Sequence, residues 1–166
     1  MNLNRIARHL ISDHRSVRRH FPKRSLTAIE EAIRKVEKTH RGEIRFAVEA
    51  ALRPAVLWRG LSARERAVDV FSRLRVWDTE ENCGVLVYLL LADRRVEIVA
   101  DRGIHQRAGQ TEWERICREM EAAFREGRFE EGVIAGVHAI GEHLKKHYPA
   151  SEEEKRNELP DRPVVL

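Results

Sequence analysis

Hydrophobic positions along this chain change period several times, and the changes outline its elements. Val85 to Leu91 is an uninterrupted apolar run bounded by polar residues, the pattern of a strand buried on both faces. Beyond Asp93-Arg94-Arg95, the residues Val96, Ile98 and Ala100 alternate with Glu97 and Val99, so a second strand returns through a short connection with one face less buried. Glu43 to Ala51 forms a further strand, with Ile44, Phe46 and Val48 pointing one way. Helical spacing fills the intervals. Leu26, Ile29, Ile33 and Val36 predict one helix, with Thr27 and Glu30 placed as a capping box and Gly42 just past its end. Ser62 and Glu65 open another, whose apolar face is Ala63, Ala67, Val70, Phe71 and Leu74. Thr111 and Glu114 are spaced to cap a helix presenting Trp113, Ile116, Cys117, Met120 and Phe124, which Gly127 can end. Phe129 to Tyr148 is the last helix, carrying Gly132, Gly136 and Gly141 near one side. Glycine inside a helix costs about 1 kcal/mol against alanine, so close backbone packing is the expected compensation.

The order strand, helix, strand makes the first two strands parallel through a crossover, and the short connection makes the third antiparallel. The predicted fold class is therefore α/β, a small mixed sheet flanked by helices as an α/β/α sandwich. Ahead of it, Leu3, Ile6, Ala7, Leu10, Val17 and Phe21 fall on one helical stripe with His14, among Arg5, Arg8, Arg15, Arg18 and Arg19. This reads as one basic amphipathic helix ending before Pro22. The organisation is a basic N-terminal segment over 1–25, an α/β domain over 26–150, and a polar tail over 151–166 that either lies on the sheet as an extended arm or stays loose.

Charge refines this picture. The net charge of +4 is concentrated in residues 1 to 24, which carry seven Lys or Arg against one acidic residue, so the rest of the chain is close to neutral. Three readings suit the basic helix: packing on its own domain, lying on an anionic membrane surface, or binding nucleic acid. The last is disfavoured, because no stacking aromatic platform or reading motif accompanies it. Cys83 and Cys117 sit on apolar patterns and read as buried free thiols. No apolar run approaches the length of a transmembrane helix and no signal-peptide core precedes the domain, so the expectation is a cytoplasmic protein, peripheral at the inner face of a membrane where it meets one.

Acidic residues collect where the predicted strands end. Glu43 opens the first strand, Asp78 and Asn82 precede the second, and Asp101 closes the third, so one edge of the sheet gathers these four. Oxygen donors of this kind suit a hard cation, Ca²⁺ or Mg²⁺. Solvated strand ends are the plainer reading of the same residues. The opposite edge gathers Glu49 and Asp93. His143 and His147 share a helical face at the spacing two zinc ligands use, although the helix dipole alone favours histidines there, and His105 is better placed to meet the acidic edge. Neither thiol has the loop-and-basic setting of a nucleophile, and no phosphate-cradling glycine loop is present.

Several segments, in order, resemble the TPM domain family. They are Asn82-Cys83-Gly84-Val85-Leu86-Val87, Asp93-Arg94-Arg95-Val96 and Asp101-Arg102-Gly103-Ile104, supported by Gly42-Glu43-Ile44-Arg45, Arg66-Ala67 with Phe71, Trp113 with Met120, Gly132 with Gly136, and Asn157-Glu158-Leu159-Pro160-Asp161. The resemblance covers roughly residues 26 to 163 and is to the short bacterial branch without an anchor. It implies a mixed sheet covered by helices, membrane-bound partners, calcium binding near the acidic sheet edge, and, in some members, acid phosphatase activity on phosphomonoesters. Two departures weaken the transfer of activity: Cys83 stands between Asn82 and Gly84, and His105 stands where exported members carry Glu. The expectation is a non-catalytic accessory or interaction module able to bind a divalent cation through Glu43, Asp78, Asn82 and Asp101, with a metal-dependent acid phosphatase as the alternative. No organic cofactor is expected.

Overall fold

The structure is a computed structural model and describes residues 3–12, 14–151 and 157–166. In chain order its elements are α1 (Leu3–Ile11), α2 (His14–His20), α3 (Lys23–Glu37), β1 (Glu43–Glu49), α4 (Pro54–Trp58), α5 (Ala63–Arg73), β2 (Gly84–Leu90), β3 (Arg95–Ala100), α6 (Arg102–Ala108), α7 (Gln110–Arg125), α8 (Phe129–His147) and β4 (Val164–Val165). The sheet runs β3-β2-β1-β4. β1 is parallel to β2 and to β4, and β3 is antiparallel to β2, as the order of elements predicts.

Strand periodicity divides the core into two layers. One face of the sheet carries Ile44, Phe46 and Val48 with Val85, Val87, Leu89, Val96 and Ile98, packed under α3, α7 and α8. The other carries Ala47, Leu86, Tyr88, Leu90 and Val99 beneath α5, joined by Leu57 of α4 and Leu159 of the tail. β1 and β2 are buried along their whole length, which explains the unbroken apolar run of β2. The α8 glycines serve close approach as expected: a Cβ on Gly136 would lie 2.4 Å from Met120 Sδ of α7, and one on Gly141 would lie 2.1 Å from Val36 Cγ1 of α3. The Ser62 and Glu65 capping box forms at the start of α5. Of the tail, residues 157–166 lie on the sheet, with Val164–Val165 adding β4 beside β1, and residues 152–156 lie outside the described residues.

Four expectations are corrected. The basic N-terminal segment is two helices, α1 and α2, parted around Ser12. Its buried side differs too: α2 sends Val17 into the core and Phe21, just past its end, follows, whereas Leu10 stays 68% exposed because α1 turns His9 inward instead. Thr27 does not cap α3; Pro22, whose ring already holds φ at −61°, takes the entry position and the Thr27 hydroxyl donates to the Lys23 carbonyl within the helix. Thr111 does not cap α7, which begins at Gln110 straight after Gly109, a residue at φ 85° that lets α6 and α7 meet in a sharp turn. The short helices α4 and α6 carry no hydrophobic stripe long enough to be seen in the sequence. Among the described residues, no helix is long and apolar enough to cross a membrane.

Candidate functional site

Both ends of the sheet collect charged side chains, and each end treats them differently. At the amino end of β1 and β2, Glu43 pairs in register with Gly84, and Asp101 follows Ala100, the partner of Val85. Topology thus brings Glu43, Asn82 and Asp101 to one end. Glu43 is completely buried and accepts the Glu158 and Leu159 amides of the tail at 3.4 and 3.3 Å. Asp101 opens α6: its Oδ1 accepts the Arg102 amide at 2.7 Å. Its Oδ2 is buried and has no hydrogen-bond partner among the described residues. Asn82 holds a left-handed φ of 53°, and its carbonyl accepts the Ile104 amide at 3.3 Å. Asp78 is exposed and pairs with Arg75 at 2.8 Å. Oxygen atoms crowd this end: a Cβ on Gly103 would lie 2.6 Å from the Tyr148 hydroxyl, 2.7 Å from the Asn82 carbonyl and 3.0 Å from the Glu81 carbonyl. Among the described residues, no three His, Cys, Asp or Glu side chains are grouped to hold a metal ion.

At the carboxyl end, the acids meet cationic and hydroxyl side chains. Glu49 accepts from Arg66 Nε and Nη2 at 2.8 and 2.9 Å and from the Tyr88 hydroxyl at 2.6 Å. That forked contact with Glu49 raises the Arg66 pKa against the opposing effect of burial, and burial together with Glu49 raises that of Tyr88. Asp93 accepts from Arg5 Nη2 at 2.8 Å and lies 3.0 Å from His9 Nε2. The Leu52 amide donates to His9 Nδ1 at 2.9 Å, which assigns the proton to Nε2 and makes His9 a donor to Asp93. Burial pushes the Asp93 carboxyl up, yet the hydrogen bonds from Arg5 and His9 outweigh it and hold the group below its ordinary value of 3.8. Arg5 and His9 stand at i and i+4 on α1, a spacing visible in the sequence that points to this latch but was obscured by the leucine stripe beside it. Two cavities flank the N-terminal helices here, one of about 500 Å³ beside Glu49 and Arg66 and one of about 420 Å³ between α1–α2 and α7.

The nucleophile and histidine candidates lie elsewhere. Burial, with Glu81 adding to it, pushes the Cys83 thiol up to about 12, and burial pushes Cys117 up to about 12. Neither is a ready thiolate. His143 lies 3.3 Å from Glu112 and edge-on to Trp113, so its surroundings are those of a helix contact with α7. Desolvation, aided by Lys146 and Arg107, lowers the His147 pKa. His105 lies one turn into α6, with its amide on the Asp101 carbonyl at 2.9 Å.

Residues 20–143 match the family model described as the TPM domain. The BA42 protein of the psychrophilic bacterium Bizionia argentinensis, whose structure was solved by NMR, is 28% identical, superposes with a TM-score of 0.77, and aligns over 88% of this chain and 95% of its own. The N-terminal domain of a protein from P. gingivalis, solved by NMR, shares the fold at 20% identity and a TM-score of 0.56, over 74% of this chain and 76% of that one. No curated protein matches the sequence.

Proposed function

This chain belongs to the TPM domain family, and from that premise we propose that it is a non-catalytic accessory module that docks on an anionic membrane surface and serves a membrane-bound assembly there. The observation that carries this reading is the posture of α1. Arg5 and His9 latch the helix to Asp93, and the latch leaves Leu10 68% and Ile11 81% exposed on a basic segment. Packing normally spends such residues on the protein's own core; here the inward side is taken by a histidine. Trp58, 64% exposed, stands on α4, which packs against α1, and Arg15, Arg18 and Arg19 of α2 add the cationic element that interfacial helices use toward anionic lipid.

The test is co-sedimentation with phosphatidylglycerol vesicles against phosphatidylcholine vesicles. Leu10→Glu with Trp58→Glu changes only exposed positions, so the fold is retained, and binding to the anionic vesicles is expected to weaken about tenfold or more. Equal binding by the parent and the double variant would overturn the reading. Deleting the first 21 residues is a poorer test, since it also removes Val17 and Phe21 from the core.

A second reading is favoured by one atom. The unpartnered Asp101 Oδ2, at an end crowded with carbonyl and hydroxyl oxygens, is the kind of group a Ca²⁺ or Mg²⁺ ion completes. Glu43, Asn82 and Asp101 would be its donors, while Asp78 would have to leave Arg75 to join them. Metal-assisted phosphomonoester hydrolysis would start from such an ion. Calcium titration followed by ¹H–¹⁵N NMR decides it: shifts around Asn82 and Asp101 that Asp101→Asn abolishes support the site, and unmoved resonances at millimolar calcium sink it.

A further inference from the structure

The cavity between α1–α2 and α7 shares one lining residue, Ile11, with the membrane reading, and its lining has two unlike parts. Its floor is aliphatic, made by Leu89, Leu91 and Ala92 where β2 runs out. Its wall is a ladder of rings: His20 stacks on Phe129 at 4.2 Å between centroids, and Phe124 stacks on Phe129 at 5.1 Å. Burial lowers the His20 pKa, with Arg19 adding to the effect, so this end of the ladder is uncharged at neutral pH.

The rim is cationic. Arg8, Arg94 and Arg125 line the opening. Arg94 and Arg125 make no ion pair with any described residue, and Arg8 reaches only a 3.7 Å contact with Asp93, a carboxylate that Arg5 and His9 already occupy. The acid in the lining, Glu121, is engaged by the Val96 amide at 3.0 Å and by Arg95 at 3.8 Å. At about 420 Å³ the cavity falls within the ordinary range of small-molecule pockets, roughly 300–1,000 Å³.

We propose that this cavity binds an anionic amphiphile, an unbranched acyl chain ending in a single anionic group, with the chain along the Leu89–Ala92 floor and the anion on Arg94 and Arg125. The aliphatic floor, and a Phe129 ring already stacked with both His20 and Phe124, favour a flexible chain over a planar aromatic ligand that would need a free ring face. The rim disfavours a cationic head by repulsion and offers a neutral one no charge pairing, so an anionic head is preferred. A free fatty acid and a single-chain portion of a membrane lipid share this chemistry. The proposal does not rest on membrane docking: Ile11 borders the cavity, but Leu10, Trp58 and the α2 arginines Arg15, Arg18 and Arg19 do not.

The probe is decanoate, titrated into the full chain without vesicles and followed by ¹H–¹⁵N NMR, with decyltrimethylammonium as the control of equal tail and opposite head. Decanoate is expected to shift the amides of Ser16, Leu91, Ala92 and Gly127, and the ammonium control to leave them in place. Arg94→Asn suits its φ of 51°, which asparagine tolerates, and Arg125→Gln changes an exposed helix position, so both variants keep the fold. Each is expected to weaken decanoate about fivefold. Competition between decanoate and phosphatidylglycerol vesicles would assign the pocket to membrane lipid, and binding without competition would assign it to a free acid. No localised shifts at millimolar decanoate, equal binding of the ammonium control, or unchanged affinity in both variants would overturn the proposal while leaving the membrane reading, measured at Leu10 and Trp58, intact.

Discussion

The two ends of β1 both begin with a buried glutamate problem and solve it in opposite ways. Glu43 is held by main-chain amides of the tail, and its strand neighbour Arg45 gives its guanidinium to the Pro160 carbonyl. Glu49 is held by side chains, the Arg66 fork and the Tyr88 hydroxyl. The same division holds beyond the strand: Asp101 accepts an amide at the start of α6, whereas Asp93 is bound by Arg5 and His9. Amide-held carboxylates tie down chain segments, and a segment can detach while the charge regains water. A carboxylate held by a neighbouring cation has no such exit once the cation is removed. The amino end therefore organises the tail and α6, and the carboxyl end carries the larger electrostatic risk.

The sharpest way to break this comparison is to remove the cation. Arg66→Met leaves Glu49 buried with only Tyr88 as a donor, and is expected to cost about 3 kcal/mol in urea unfolding. Adding Glu49→Gln, which keeps an acceptor for the Tyr88 hydroxyl, should recover more than half of that loss. A double variant no more stable than Arg66→Met alone would show that the arginine acts through packing of its stem rather than through charge.

How far the sequence revealed these ends depends on the kind of interaction. Hydrophobic period was enough for β1, β2, β3 and the long helices, because burial of whole faces leaves a regular trace. It also placed Glu43, Asn82 and Asp101 at one end, since strand direction alone determines which residues share an edge. What it could not show was who would hold them. The amides that engage Glu43 come from Glu158 and Leu159, more than a hundred residues away, and backbone donors have no residue signature. α1 was misread for a related reason: Leu10 has the stronger apolar signal, but His9 and Arg5 win the inward face because a half-buried Asp93 is waiting there. A one-dimensional pattern cannot weigh an ion pair formed across 88 positions.

A smaller effect tests the amino end. Glu43→Gln retains one acceptor and loses the charge that strengthens its two amide bonds, so about 1–2 kcal/mol is expected. The signature should be local. Amide hydrogen exchange at Leu159, which donates to Glu43, and at Leu166, which donates to the Val48 carbonyl, should accelerate well before that of Val85 or Val87, because the tail can leave while the β1–β2 ladder stays. Uniform acceleration across the sheet would mean that Glu43 supports the core itself, and the contrast between the two ends would fail.

The smallest expected effect is a pH dependence confined to the carboxyl end. Asp93 has its folded pKa below the ordinary 3.8, so its contribution is fully present above that value and is lost as pH falls through the lower folded one. The group is a peripheral latch rather than a core pair, so acid should release α1 before the molecule unfolds. The Leu52 amide, which donates to His9 Nδ1, is the local reporter. Lowering the pH from ~5 to ~2 should shift and broaden it in the parent protein while the amides of β2 hold their positions. In Asp93→Asn the latch is weakened at every pH, so the Leu52 resonance should already sit near its acid position at neutral pH and should move little on acidification. A parent-like titration in that variant would show that some other acid governs α1, and that the latch read from Arg5, His9 and Asp93 is not what holds the helix.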